Sequence, residues 1–206
     1  APTPQECVIF REWVLQETAR MDAARGWVMQ LHLGPIRNLR SRLHESFGPD
    51  AGADAIGGPL NVGALAGFLN GRDQAGCLPK TIVYTMRPED GHAAASIAGA
   101  FNGTDGQSEP GRVQVGPAWW FADTESGIRS QLRLLGETGS LGHSIGMVTD
   151  SRSLLSMVRH EYFRRILCDE LGRDVEAGLL PDDGALLSGW VRAVAYENAV
   201  SYFGFA

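Results

Sequence analysis

The chain alternates between two patterns of apolar positions, one typical of strands and one typical of helices. Short apolar runs predict four strands, at 27–33, at 81–86, at 113–116 continuing into 118–121, and at 144–149. Apolar residues at helical spacing predict helices at 4–24, 60–69, 89–102, 124–137 and 185–203, with a further helix after Arg152. Strands that alternate with helices indicate an α/β protein with a parallel sheet.

Four strand–helix units fit two architectures, an open doubly wound sheet and half of a (β/α)8 barrel. The predicted strands end near His32, Tyr84, the Trp119–Trp120 pair and Asp150, so polar and aromatic side chains would face one mouth. The sequence contains neither of the glycine-rich phosphate loops that are familiar in open-sheet nucleotide binders. Both observations favour the barrel, and we expect residues 1–206 to form a single domain that is a partial barrel.

The composition is that of an ordinary globular protein, and it argues against some classes of partner. Hydrophobic residues make up 44% and charged residues 20% of the 206 positions. A formal net charge of -6 argues against nucleic acid as a partner, and no apolar stretch is long enough for a membrane span. Because the three cysteines are widely spaced, we expect neither a disulfide framework nor a zinc ribbon and predict a cytoplasmic location.

The strongest chemical signal lies at the end of the predicted fourth strand. Residues 144–149 lead directly into Asp150, and Arg152 follows two positions later, so in an extended chain the two side chains point the same way. An aspartate in front of a helix is commonly an N-cap, but a cap needs no cation beside it. The pair therefore favours a site for an anionic substrate or for proton transfer. His32 alone is weaker evidence, because a histidine among apolar neighbours is ordinarily a core residue.

Five sequence segments carry a resemblance to a known family. They are MQLHLGPIRN (29–38), LPKTIVY (78–84), WWF (119–121), GMVTDSRS (146–153) and RHEYFRRILC (159–168). In this order and at this spacing they resemble uronate isomerase, also called glucuronate isomerase, a branch of the amidohydrolase superfamily of metal-binding barrels. The resemblance covers nearly the whole chain. It implies the C-terminal half of a TIM-type barrel, strands five to eight with the closing helices.

The resemblance also implies that part of the site lies elsewhere. The first strand of this superfamily carries a His-x-His pair that binds metal, whereas none of the five histidines here are two apart. The chain is therefore expected to be a fragment that lacks the N-terminal half of the barrel and is inactive alone. A divalent, zinc-like ion would take its histidine ligands from that half, and Asp150 would complete the metal site.

The implied activity is the isomerisation of D-glucuronate to D-fructuronate and of D-galacturonate to D-tagaturonate, through an enediol, in hexuronate catabolism. Such a reaction needs a base near C2, stabilisation of the developing oxyanion and a cation for the substrate carboxylate. The resemblance assigns catalysis to Asp150, His32 and Arg152. It assigns substrate binding to Arg37, Arg152, Trp119 and Trp120. The complete enzyme is expected to be a homo-oligomer.

Two other functions remain open from the sequence. One is a metal-dependent hydrolase of the amidohydrolase superfamily. It is disfavoured because a second strand-end histidine would be expected at the sixth strand, where Tyr84, Thr85 and Met86 stand instead. The other is a non-catalytic module that binds a sugar acid without turning it over.

Overall fold

The computed structural model describes residues 2–103, 111–138, 141–150 and 153–205, and it shows an α/β fold built on a parallel sheet. The strands are β1 (Val28–His32), β2 (Pro35–Ile36), β3 (Ala55–Ile56), β4 (Lys80–Tyr84) and β5 (Val113–Val115). Strands β1, β4 and β5 are parallel and lie side by side in that order, while β2 and β3 form a separate antiparallel pair. The first three predicted strands are therefore confirmed, with ends displaced by one or two residues.

The predicted helices are also confirmed. They are α1 (Pro4–Arg25), α3 (Val62–Gln74), α4 (Gly91–Ala100), α5 (Glu125–Thr138), α6 (Val158–Glu176), α7 (Gly184–Arg192) and α8 (Asn198–Phe203). A π-helical turn, Ala193–Glu197, joins α7 to α8. The sequence did not predict α2 (Ser41–Phe47) or the β2–β3 pair, because elements of seven and two residues are too short to show a periodicity.

The sequence around α1 fixes both ends of that helix and so sets where β1 begins. The Thr3 side chain accepts a hydrogen bond from the Glu6 N–H, and the Glu6 carboxylate accepts one from the Thr3 N–H, which together form a capping box. Pro4 fits the first helical position because its missing N–H would have no helical partner there. Gly26 ends the helix at φ 66°, a left-handed conformation that glycine adopts without strain.

The two faces of the sheet are buried by different partners. On one face, Val83, Val113 and Val115 pack against α3, α4 and α5. On the other face, Ile82 and Tyr84 pack in a cluster that also contains Trp119, Ile145, Ala199, Tyr202 and Phe203. Since β4 is covered on both faces, its sequence is a continuous run rather than an alternation. Each fully buried aliphatic side chain contributes roughly 1.5–3 kcal/mol.

The predicted fourth strand at 144–149 is wrong. The described residues 144–150 join no ladder, and the N–H groups of Ile145 and Gly146 are bonded to groups outside the sheet ladder. The Ile145 N–H donates to the buried side-chain oxygen of Gln114, at 3.0 Å. The Gly146 N–H donates to the carbonyl of Val194 in the last helical segment, also at 3.0 Å.

The π-helical turn explains why Val194 is available to Gly146. The Asn198 N–H bonds to the Ala193 carbonyl, so the Val194 carbonyl lacks the partner that an α-helix would give it. The Asn198 side chain then donates to the carbonyls of Gly142 and Ser144, at 2.8 and 2.9 Å. The last helix therefore holds the segment that ends in Asp150.

The predicted continuation of the third strand into 118–121 is also wrong. The Gly116 N–H still donates to the Val83 carbonyl at 2.9 Å, but the chain then leaves the sheet. Trp120–Ala122 form a 3-10 turn instead.

In the part of the chain that the structure describes, no helix is both long and apolar enough to cross a membrane. Cys7, Cys77 and Cys168 are all free thiols.

Candidate active site

His32 is the last residue of β1, and its Cα partner on β4 is Tyr84. The two rings stack, with centroids 4.4 Å apart and planes 9° apart. His32 is exposed on the far side of this stack. Within the described residues His32 is therefore not enclosed, as a core histidine would be.

Tyr84 is completely buried beneath His32. Its phenol donates a hydrogen bond to the Gln30 side-chain oxygen at 2.8 Å, which fixes the ring. Gly116 leaves the space that the Tyr84 ring occupies, because a Cβ atom at position 116 would collide with this ring and with Ile82. Burial raises the pKa of the Tyr84 phenol, and the negative charge of Asp150 raises it further. Asp150 is thus close enough to Tyr84 for its charge to act on the same group of rings.

Trp119 and Trp120 extend this aromatic group from the loop after β5. Trp119 meets His32 edge-on, with centroids 4.6 Å apart, and is buried. Its indole Nε1 is a buried donor that finds no acceptor among the described residues. Trp120 is half-buried, lies 5.6 Å from Trp119 between ring centroids, and has a φ of 52°.

Arg37 lies above Trp120, with its guanidinium carbon 5.1 Å from the ring centroid. It follows β2, and two carboxylates from the segment before β3 hold it. Asp50 forms an ion pair with the Arg37 Nη2, and an oxygen of Asp54 lies 3.5 Å from the Arg37 Nε. Asp54 also accepts a hydrogen bond from the Asn38 N–H at 2.8 Å. Sequence analysis missed both aspartates, because partners 13 and 17 positions away leave no local pattern.

Asp150 is exposed and has a left-handed backbone, with φ 44°. It does not cap the helix that follows. Ser153 caps the 3-10 turn at Leu154–Met157 by accepting a hydrogen bond from the Leu155 N–H. Helix α6 then begins at Val158 with no side-chain cap. The N-cap interpretation of Asp150 is therefore wrong, and its carboxylate is available for other chemistry. The predicted site residue Arg152 lies outside the described residues.

The described residues do not make a metal site by themselves. No group of three or more His, Cys, Asp or Glu side chains within them could hold an ion. The expected zinc-like ion thus has no complete set of ligands in this part of the chain.

The family model for glucuronate isomerase matches residues 1–203. This chain belongs to the glucuronate isomerase family. Uronate isomerase of Bacillus licheniformis is 44% identical over 203 residues, which are 98% of this chain and 42% of that protein. Uronate isomerase of Salmonella arizonae is 46% identical over 198 residues, 96% of this chain and again 42% of the relative.

Solved structures of the family share the fold. Uronate isomerase of Thermotoga maritima matches with a TM-score of 0.87 at 33% identity, over 98% of this chain and 42% of that one. Glucuronate isomerase of Caulobacter crescentus matches with a TM-score of 0.84 at 27% identity, over 98% of this chain and 40% of that one. The α/β fold with its parallel sheet is thus the fold of uronate isomerases. The chain spans about two fifths of the length of these relatives.

Proposed function

We propose that this chain forms the C-terminal half of a (β/α)8 barrel, strands five to eight with the closing helices, and supplies one side of a uronate isomerase active site. In this proposal β1, β4 and β5 are strands five to seven, and the segment 144–150 takes the place of strand eight without joining the ladder of the described sheet. The observation that carries the proposal is the packing of His32 and Trp119 against Tyr84 at the carboxyl edge of a parallel sheet. The charge of Asp150 also acts on the Tyr84 phenol. Barrel enzymes hold their catalytic groups at that edge. The groups that face these residues would come from the remainder of the barrel.

Two exposed apolar surfaces fit such a remainder. On α1, which packs against β1, Phe10 and Trp13 are exposed, and β1 has an unpaired edge within the described sheet. After Asp150, Leu154 is 88% and Leu155 is 83% exposed. Contiguous apolar surface of this kind marks an interaction site in a folded protein. The remaining strands and helices of the barrel would cover both surfaces.

The proposed substrates are hexuronates, D-glucuronate and D-galacturonate, which are converted to D-fructuronate and D-tagaturonate. A proton leaves C2, an enediol forms, and a proton is returned at C1. Asp150 and His32 are the proposed groups of this chain for proton transfer, because both side chains are exposed and the charge of Asp150 acts on the Tyr84 ring against which His32 stacks. Arg152 is proposed to stabilise the oxyanion. Asp150 is also the proposed metal ligand of this chain, and no step is assigned to the ion.

Arg37 and Arg152 are the proposed contacts for the substrate carboxylate, since a guanidinium can hold both carboxylate oxygens. Arg37 already shares its charge with Asp50 and Asp54, which weakens its attraction for a third carboxylate. It remains well placed on Trp120, where the ring and the guanidinium form one wall of the sugar pocket.

Trp119 is proposed to line the sugar pocket through its ring, and its enclosed Nε1 would reach a substrate hydroxyl only after the neighbouring side chains move. A buried N–H without an acceptor is uncommon in folded proteins. The indole Nε1 of Trp119 is such a group, and a hexuronate offers a hydroxyl acceptor on nearly every carbon.

The test is a chimeric enzyme, in which this chain replaces the matching 42% of the Bacillus licheniformis uronate isomerase. We expect the chimera to convert both uronates to their ketoses, and its Asp150→Asn variant to lose this activity. A chimera that folds but shows no activity, when the parent enzyme measured beside it is active, would overturn the proposal. If the chimera, or the chain alone, then binds glucuronate in calorimetry, the non-catalytic module replaces the isomerase as the best interpretation.

A further inference from the structure

Arg159, the second residue of α6, joins the two loops that carry the candidate site. Its Nη2 forms an ion pair with a carboxylate oxygen of Asp123. Its Nη1 donates a hydrogen bond to the Thr149 carbonyl at 3.2 Å. Asp123 belongs to the loop of the tryptophans, and Thr149 immediately precedes Asp150. One guanidinium thus bonds to both loops at once.

The Asp123 side of this contact is buried, whereas the Arg159 side chain is 34% exposed. The Asp123 side chain is only 4% exposed. A carboxylate at such a depth stays charged only if a cation or several donors face it, and the loss of one partner of a buried pair leaves the other charge uncompensated. Arg159 is therefore an essential partner of Asp123, unlike an arginine in an exposed pair on the same helix.

The contact with Thr149 replaces a strand partner. Since the described residues 144–150 join no ladder, their backbone groups depend on side chains and on the last helix. At the start of the segment, the Gln114 side chain accepts a hydrogen bond from the Ile145 N–H, and the Val194 carbonyl accepts one from the Gly146 N–H. At the other end of the segment, Arg159 donates a hydrogen bond to the carbonyl of Thr149, one residue before Asp150.

Both loops contain a residue in an unfavourable backbone conformation next to these contacts. Asp150 has φ 44° and follows Thr149, and Trp120 has φ 52°. The Trp120 carbonyl accepts a hydrogen bond from the N–H of Asp123, at 3.1 Å. Non-glycine residues keep a left-handed backbone only where their surroundings determine it. Arg159 bonds to Thr149, which precedes Asp150, and to Asp123, whose N–H is hydrogen-bonded to the Trp120 carbonyl.

We infer that Arg159 is a positioning residue of the active site, which sets Asp150 through Thr149 and Trp120 through Asp123. The inference rests on the proposed function in so far as Asp150 and Trp120 are taken to face the substrate. Arg159 itself contacts neither the substrate nor the reacting atoms. Its effect is to keep the carboxylate and the pocket wall in one fixed arrangement.

The first experiment measures turnover in the chimeric enzyme described above. Misplacement of a catalytic group by about 1 Å costs about a hundredfold in rate, so we expect Arg159→Met to lower kcat by about that factor and KM much less. Arg159→Lys should lower kcat by about tenfold, because one ammonium nitrogen can neutralise Asp123 but cannot occupy both Nη positions. The control is Arg165→Met on the same helix, which removes an exposed pair with Glu161 and should leave kcat unchanged.

A second substitution separates positioning from stability. In an Arg159→Met background, Asp123→Asn removes the unpaired buried charge, so the melting temperature should recover. The value of kcat should stay low, because the bond to Thr149 is still absent. Recovery of kcat together with the melting temperature would mean that Arg159 has only a structural role, and would overturn the inference.

Hydrogen–deuterium exchange of the folded chimera provides a readout that needs no activity. Arg159→Met should accelerate exchange in peptides that span 119–123 and 145–150, whereas Arg165→Met should not. Unchanged exchange in both peptides would overturn the inference. If the unsubstituted chimera is inactive, the proposed function has failed, and the exchange result alone decides whether Arg159 couples the two loops.

Discussion

The imidazole of His32 lies flat against the phenol ring of Tyr84, with centroids 4.4 Å apart. Tyr84 is fixed in turn by its hydrogen bond to Gln30 and by the space that Gly116 leaves. The orientation of an exposed candidate catalytic group therefore depends on a buried tyrosine that remains a neutral phenol.

The raised pKa of Tyr84 predicts how stability changes in alkali. An unfolded tyrosine ionises near pH 10, whereas burial and the charge of Asp150 keep the folded phenol protonated beyond that point. The stabilising contribution is complete below about pH 10 and is lost as the pH rises from there towards the folded pKa. We expect the free energy of unfolding to fall more steeply above about pH 10 in the wild-type chain than in Tyr84→Phe. Equal slopes in urea titrations across this range would contradict the prediction.

Two aspartates that stand before helices should respond in opposite ways to substitution. Asp183 caps α7 by accepting hydrogen bonds from the N–H groups of Ala185 and Leu186. Asp183→Ala should therefore cost about 1 kcal/mol of stability and leave kcat of the chimera unchanged. Asp150 caps no helix, so Asp150→Asn should change stability little and lower kcat by at least about a hundredfold. A wild-type rate for Asp150→Asn would exclude Asp150 from the chemistry.

Substitution of the arginines should separate carboxylate binding from transition-state stabilisation. In the chimera, Arg37→Met and Arg152→Met should both be impaired, and at least one should raise KM for uronates with little change in kcat. The same variant should be affected far less with a neutral aldose analogue, which has no carboxylate to bind. Equal losses on charged and neutral substrates would mean that neither arginine binds the carboxylate.

The chain alone should self-associate and show no isomerase activity. Exposed Leu154 and Leu155 on one side, and Phe10 and Trp13 on the other, provide apolar surface for association. Size-exclusion chromatography should show oligomers or aggregates, and an apolar dye should bind. Leu154→Lys with Leu155→Lys should reduce both signals, whereas Asp22→Lys serves as a control that adds charge elsewhere. A stable monomer that binds no dye would argue for a self-contained fold.

Gly146 and Gly136 should respond oppositely to alanine. A Cβ atom at Gly146 would collide with the Val194 carbonyl and lie 2.8 Å from the Phe163 ring, so Gly146→Ala should destabilise the chain by about 1–3 kcal/mol. Gly136 lies in α5 with open space around its Cα, and Gly136→Ala should stabilise by about 0.5–1 kcal/mol. Chemical denaturation checks both values. A Gly146→Ala chain as stable as the wild type would show that the contact with the last helix is loose.

The elements that the sequence predicts well are those whose partners leave a periodic pattern. The run at β4 is apolar on both faces, and α5 has one apolar side, so both are evident without a structure. The run at 144–149 has the same composition as a buried strand, but Gln114 and Val194 take its amides, and no local pattern reveals that. Arg159 and Asp123 are 36 positions apart in the sequence, so their pairing is equally hidden. The one available signal is that Asp123 follows the aromatic residues 119–121 after a single alanine.

Because of the π-helical turn at Ala193–Glu197, the contacts of the last helix depend on the number of residues in this turn more than on which residues they are. Removal of one residue there would restore α-helical pairing, return the Val194 carbonyl to its own helix and leave the Gly146 N–H without an acceptor. It would also rotate Asn198 by about 100° around the helix axis, away from the two carbonyls that it now binds. Point substitutions in the turn should thus be tolerated far better than deletions. The extra residue in the last helix sets the register of the Asp150 segment, even though it lies more than forty positions later in the chain.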